Sequence, residues 1–194
     1  VAPAIDTICY AATTNIALSS NVTGTTFSWT VSSNPNIVGA LGANGNSIQQ
    51  VLQNTSPVPQ SVTYYVSTLA AGCPGATDSA VVTVNPSPIV LFTPTTQSIC
   101  NNQQTQTVLL TSTTPGSTFS WTASAPAFIT GYATNGTDII PAQVLNNSSN
   151  QQGTVAIAAT ATYDGCPGNV MNYTIIVYPT PTVTNPGTQT ICSG

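Results

Sequence analysis

The side chains in this chain that could take part in bond-making or ionic chemistry are five cysteines, Cys9, Cys73, Cys100, Cys166 and Cys192, and four aspartates, Asp6, Asp78, Asp138 and Asp164. The 194 residues contain no lysine, arginine, histidine or glutamate, so charged residues make up 2% where a soluble domain ordinarily carries roughly a quarter. Without histidine there is no Ser-His or Cys-His pair and no imidazole ligand for zinc or copper. Without lysine no Schiff base forms. Without any cation, the phosphates of nucleic acid, nucleotides and anionic lipid meet nothing that neutralises them. A carboxylate pair for acid–base work, or a calcium cage, needs clustered oxygen charge, and the aspartates are scattered along the chain. Neither an enzyme nor a cofactor is expected.

The cysteines become intelligible once the internal repeat is seen. Thr7-Ile8-Cys9 recurs as Ser98-Ile99-Cys100 and as Thr190-Ile191-Cys192. Thr26-Phe27-Ser28-Trp29 recurs as Thr118-Phe119-Ser120-Trp121, and Gly72-Cys73-Pro74-Gly75 as Gly165-Cys166-Pro167-Gly168. Val84-Asn85-Pro86-Ser87-Pro88 recurs as Val177-Tyr178-Pro179-Thr180-Pro181. These landmarks keep one register of about 92 residues. They divide the chain into a first module (1–86), a second (87–179) and the start of a third (180–194), as a window on a longer array would. In this register Asp6 falls opposite Gln97, Asp78 opposite Met171, Asp138 opposite Ser47 and Asp164 opposite Ala71, so no carboxylate belongs to both modules.

Hydrophobic residues reach 41% and mean hydropathy is +0.18, so the chain is apolar enough to collapse despite its lack of charge. Threonine and valine favour half-buried strands, and 15 prolines and 14 glycines punctuate them. No apolar run approaches the roughly 18 residues of a membrane helix. The reading is all-β, with tandem immunoglobulin-like or PKD-like sandwiches of about seven strands each. In the first module strands are expected near 4–10, 15–20, 25–32, 37–41, 47–52, 61–68 and 78–84. Phe27, Trp29 and Val31 alternate with Ser28 and Thr30, which buries one face. Trp29, Trp121, Phe27 and Phe119 are therefore core residues rather than sugar-stacking platforms, and the tryptophans are expected to pack near a disulfide, as in antibody domains. Asn44-Gly45 and Asn135-Gly136 read as tight turns. Pro86-Ser87-Pro88 and Pro179-Thr180-Pro181 read as short stiff linkers.

Cysteines recurring once per module edge suit an oxidising compartment. The economical pairing lies within each module, Cys9–Cys73 and Cys100–Cys166, closing loops of roughly 65 residues worth about 4 kcal/mol each on the loop-entropy model. Cys192 then has its partner outside these residues. The competing scheme joins Cys73 to Cys100 across the linker with Cys9–Cys166 nested around it. Six Asn-x-Ser/Thr sequons, at Asn21, Asn54, Asn135, Asn146, Asn147 and Asn172, are expected from composition alone. Tyr10, Tyr132, Phe92, Phe128 and Tyr178 do not recur between modules and are candidates for exposed contacts.

The Thr-Ile-Cys-Ser-Gly opening at 190–194, Phe-Ser-Trp at 27–29 and 119–121, Gly-Cys-Pro-Gly at 72–75 and 165–168, and the Val-x-Pro-x-Pro exits resemble the PKD-like or immunoglobulin-like repeats of giant Bacteroidota surface proteins, such as gliding-motility adhesins of the SprB type. The resemblance covers nearly the whole chain. It implies export, by analogy through the type IX pathway, and display at the cell surface. Asp6-Thr7-Ile8 and Asp78-Ser79-Ala80 also look like the sites such bacteria O-glycosylate, on Thr7 and Ser79. The function this implies is a structural and adhesive repeat region: a stiff, disulfide-pinned extracellular stalk. Its partners would be neighbouring modules or copies, polysaccharide or a solid surface, with no nucleic acid and no direct membrane insertion. The alternatives are a self-assembling filament subunit with strand-edge contacts and a carbohydrate-binding module of a secreted enzyme. Between about pH 5 and 8 almost nothing on such a surface titrates apart from a free thiol or a chain terminus. Attachment or assembly is therefore expected to be indifferent to salt and pH, and a strong ionic-strength dependence of binding would overturn this.

Overall fold

A computed structural model describes residues 5–183, 185, 187, 188 and 191. Cys192 and the start of the third opening motif at Thr190 lie outside the described residues.

Every regular element among the described residues is a β-strand. The principal sheet of the first module runs, edge to edge, Ile5–Ile8, Asp78–Val84, Gln60–Ala70, Thr26–Val31, Ala43–Asn44. The first two strands are parallel, with Ile8 opposite Val84, and the rest are antiparallel. Cys73–Pro74 folds back on the far end of Gln60–Ala70, placing Cys73 opposite Ala70. The second module repeats this sheet strand for strand as Gln97–Cys100, Met171–Tyr178, Gly153–Tyr163, Thr118–Ser124, Asn135–Thr137, with Cys166 opposite Tyr163. Short ladders cover the other face. In the first module they join Ile16–Ala17 to Ser47–Ile48 and Ile37–Val38 to Gln53–Asn54. Strand pieces replace the continuous 37–41 and 47–52 expected from sequence. The chain bends at Gly39 (φ +99°), where a Cβ would lie 2.1 Å from the Val51 carbonyl oxygen.

Alternation decides what is buried. Phe27 and Trp29 point inward from Thr26–Val31, and Val62, Tyr64 and Val66 from Gln60–Ala70. Each module has its own core, with Ile16, Ile48, Leu52, Tyr64, Val82 and Trp29 in the first and Val108, Ile140, Leu145, Ile157, Ile175 and Trp121 in the second. Phe119 is only partly buried against the second core. Neither core contains a cysteine, so the tryptophans do not pack on an intersheet disulfide. The indole N–H of Trp29 donates to the Leu41 carbonyl (3.1 Å) and that of Trp121 to the Ile139 carbonyl (3.0 Å).

The two Asn-Gly pairs are not equivalent. Gly45 (φ +140°) does turn the chain, but Gly136 lies within a strand, and a Cβ there would come 2.5 Å from the Trp121 ring. Asp138 (φ 62°) takes Gly45's place: its N–H donates to the Phe119 carbonyl as that of Gly45 does to Phe27. The glycine at 136 is a close-approach residue, and the aspartate aligned with Ser47 by sequence is the turn residue.

The core also holds polar side chains that recur in both modules. Asn54 and Asn147 are buried, and their side-chain amides donate to the carbonyls of Val84 (2.8 Å) and Val177 (3.0 Å), the last buried residues of their strands. Thr14 and Thr105 are buried likewise, each accepting from a backbone N–H, of Gln50 and Gln143 respectively. Leaving such groups unpaired would cost about 1–3 kcal/mol each.

Two outcomes follow. Trp121→Ala should destabilise the second module by about 3–5 kcal/mol while the first melts at its original temperature, giving two resolved calorimetric transitions; a single transition lowered as a whole would contradict separate cores. Burial pushes the Tyr64 phenol up to about 12, and its hydroxyl donates to Gln50 Oε1 (2.9 Å). Above about pH 10 the unfolded chain sheds a proton that the folded chain keeps, so stability should be lost as pH rises from about 10 towards 12 and be unaffected by this group below. Tyr64→Phe should lose less stability over that interval, read from melting temperature against pH. Identical alkaline losses in both proteins would refute it.

Candidate functional site at the junction between modules

Among the described residues, no three of the histidine, cysteine, aspartate and glutamate side chains come together as metal ligands. The side chains with chemistry converge instead where one module meets the next.

The first sheet ends at this junction. Ile8 and Val84 are paired at the same end of their parallel strands, and Cys9 follows directly on Ile8. The linker leaves there as Asn85-Pro86-Ser87-Pro88, with Asn85, Pro86 and Pro88 buried, and enters the second core at Val90. Fixed proline φ angles and burial restrict its motion. The Asn85 N–H donates to the Ile8 carbonyl (2.8 Å). Its side-chain amide donates to Asp164 Oδ2 (3.1 Å) and lies 3.7 Å from Cys166 Sγ.

The second module meets this end with a hairpin tip. Asp164 (φ 47°) and Gly165 (φ 75°) form the turn between Gly153–Tyr163 and Cys166–Pro167. Past the tip, a Cβ on Gly168 would lie 1.7 Å from the Pro88 carbonyl oxygen, so only glycine lets the linker seat here. Cys166, 4% exposed, is bonded to Cys9 with their Cα atoms 5.4 Å apart.

This bridge corrects the within-module pairing. Cys9–Cys73 and Cys100–Cys166 do not form; Cys73 and Cys100 are free and exposed. The reason is the length of the sandwich. Gln60 pairs with Val84 at the Cys9 end of the sheet and Ala70 with Cys73 at the other, and between them run 11 residues of strand. At about 3.3 Å per residue that is roughly 33 Å, whereas disulfide Cα atoms lie within about 7 Å. Cys100 and Cys166 are separated by the equally long Gly153–Tyr163. Cys73–Cys100 is absent as well, since these cysteines occupy the two outer ends of the pair of modules.

Of the other residues singled out in the sequence, Thr7 and Ser79 are exposed on the principal sheet of the first module, and the Ser79 N–H donates to Asp78 Oδ1 (2.8 Å). This bond, first among its causes, holds the Asp78 carboxyl below its ordinary pKa. Asn54 and Asn147 are committed to internal hydrogen bonds and are not accessible sequons. Tyr10 and Tyr178 are exposed, whereas Phe92, Phe128 and Tyr132 pack against the second core. Sequence reasoning missed Asn85 and Asp164 because neither recurs, and missed Asn54, Thr14 and Gln50 although Asn147, Thr105 and Gln143 repeat them in register.

The chain is similar in fold to the crystal structure of human protocadherin-24 EC1-2, at 12% identity and a TM-score of 0.41, over 93% of this chain and 97% of that one. It is also similar to human mucin-like protocadherin EC1-2, at 13% identity and a TM-score of 0.36, over 94% and 98%. Likeness at this level carries no conclusion about this chain. No curated protein sequence matches at a significant level. A family profile described as the PKD-like domain matches twice, over residues 6–88 and 97–181. These two matches span most of the chain, which belongs to the PKD-like domain family and carries two of its domains in tandem.

Proposed function

We propose that this chain is a structural and adhesive repeat region of an extracellular surface protein, in which disulfide-pinned sandwiches form a stiff stalk. The observation that carries the reading is the junction: a buried linker and a covalent bridge, Cys9–Cys166, fix the first module on the second. A disulfide of this kind suits an oxidising, extracellular setting. The surface offered along such a stalk is hydroxyl and amide, with Thr7 and Ser79 as exposed acceptors for O-linked sugar. Uncharged surfaces of this kind suit contact with polysaccharide, a solid substratum or a neighbouring copy. Export by the type IX pathway, and display as in the SprB type of adhesin, belong to this reading by analogy. Module limits at 86 and 179 fall within the Pro-x-Pro exits, Pro86-Ser87-Pro88 and Pro179-Thr180-Pro181. Filament assembly through strand edges is less well supported, because the edge strands Ile5–Ile8 and Ala43–Asn44 are only four and two residues long.

The bridge encloses two domains that already have their own cores, so its contribution should appear in docking rather than in the folding of either domain. Cys9→Ser and Gly168→Ala should each broaden the distribution of end-to-end distances in small-angle scattering while leaving the melting of both modules nearly unchanged. Scattering curves identical to that of the parent protein in both variants would show that the junction does not set the stiffness.

A further inference from the structure

We propose that Cys73 and Cys100 are the two halves of further inter-module bridges: Cys73 bonds the Thr-Ile-Cys-type cysteine of a PKD-like module preceding it in the same polypeptide, and Cys100 bonds the Gly-Cys-Pro-Gly-type cysteine of the module that follows. The inference rests on the tandem-stalk reading but not on any adhesive role.

Cys73 stands where Cys166 stands. Both follow a two-residue turn of positive φ, Ala71-Gly72 (49°, 81°) and Asp164-Gly165 (47°, 75°). Both are held by the same bond beyond the tip, from the Gly75 N–H to the Thr68 carbonyl (2.9 Å) and from the Gly168 N–H to the Ala161 carbonyl (2.8 Å). Cys100 stands where Cys9 stands, at the end of the parallel edge strand and two residues before a residue of positive φ, Asn102 (62°) or Ala11 (60°). One register therefore relates the bonded pair to the two free cysteines.

What differs is whether a neighbour is present. Cys166 is buried at the seat that the first module's linker fills, while Cys73 is exposed. The first module's own seat is an open cleft of about 440 Å³, lined by Ser20, Asn21, Val22, Cys73, Gly75 and Ala76 among others. The matching segment Ser112-Thr113-Thr114 makes the same turn bond, Thr114 N–H to Ser112 Oγ, as Val22 N–H makes to Ser20 Oγ. Thr113, Thr114 and Asn169 of the second module line one cleft with Tyr10 and Pro57 of the first and with Ser87 and Ile89 of the linker. At the other end, the second exit carries Pro179 half-buried and Pro181 exposed, where Pro86 and Pro88 of the first are buried. Both ends of the two-module unit are thus the complementary halves of the junction seen at its centre. The polar clamp would not repeat, since Ala71 replaces Asp164 and Tyr178 replaces Asn85; the cysteines and glycines would.

Closing each bridge joins two thiols through one S–S bond and removes two protons and two electrons. A disulfide oxidant, protein or small molecule, takes these up by exchange and leaves as two thiols.

The test maps disulfides in the complete native polypeptide isolated from the cells that make it. Thiols are blocked with N-ethylmaleimide and the protein is cleaved with pepsin, since this stretch holds no lysine or arginine for trypsin. Expected are Cys9 joined to Cys166, Cys73 joined to a Thr-Ile-Cys-type peptide, Cys100 joined to a Gly-Cys-Pro-Gly-type peptide, and monomeric mass on a non-reducing denaturing gel. Maleimide on Cys73 and Cys100 with Cys9–Cys166 intact would overturn the ladder and leave the stalk reading standing. Cys9–Cys73 and Cys100–Cys166 peptides would overturn both. Linked multimers on the gel would show that the partner is a second copy, against the tandem assignment.

Discussion

The constraint on which the rest depends is a length. The central strand of each sandwich runs 11 residues without interruption, and the two cysteines of a module sit at its opposite ends. At strand rise they cannot meet. Each module is therefore covalently open, with one sulfur at the pole where the chain leaves and one at the pole that receives the preceding module. A disulfide placed this way does little for the sandwich that carries it, because each core closes on its own residues. It makes the boundary between sandwiches, ordinarily the compliant part of a tandem protein, the covalently closed part.

The junction is built around what the composition lacks. With no lysine or arginine anywhere in the sequence, docking cannot use side-chain ion pairs, and its carboxylate, Asp164, is met by the Asn85 amide instead. Exposed ion pairs contribute little in any case. Two buried prolines fix the linker's path, and a glycine at 168 removes the one Cβ that would block it. The Gly-Cys-Pro-Gly motif is thereby accounted for in three of its four positions: a turn glycine, a bridging cysteine and a close-approach glycine.

The repeat, the all-β class and the inward tryptophans were legible because they depend on period two and on matched landmarks, both of which sequence displays directly. The disulfide pairing was not. Assigning one bridge to each module minimises sequence separation, whereas bonding depends on which end of a sheet each cysteine occupies, and that follows only from strand length and register. Asn44-Gly45 and Asn135-Gly136 misled for a related reason: identical dipeptides occupy places two residues apart in the two modules, so one glycine serves a turn and the other makes room for Trp121. Asn54 and Asn147 carried a readable signal, since they recur in register, but in a chain rich in Asn, Ser and Thr they looked like sequons rather than buried donors to Val84 and Val177.

Geometry also indicates how such a unit would respond to a pull along the chain. Ile5–Ile8 and Asp78–Val84 are the first and last strands of the principal sheet and run parallel, paired at four positions. Tension between the entering chain and the exiting linker would shear these pairs together rather than unzip them singly. The bridge changes where the pull is applied. The second module holds the first at two points on the same pole, through the linker that follows Val84 and through Cys9, which follows Ile8. A pull from that side draws both strands in one direction, and the relative slip that would break the patch is suppressed. Parallel pairing of the terminal strands and a cysteine just beyond the first of them would thus act together under such a pull, which a disulfide inside the core could not do.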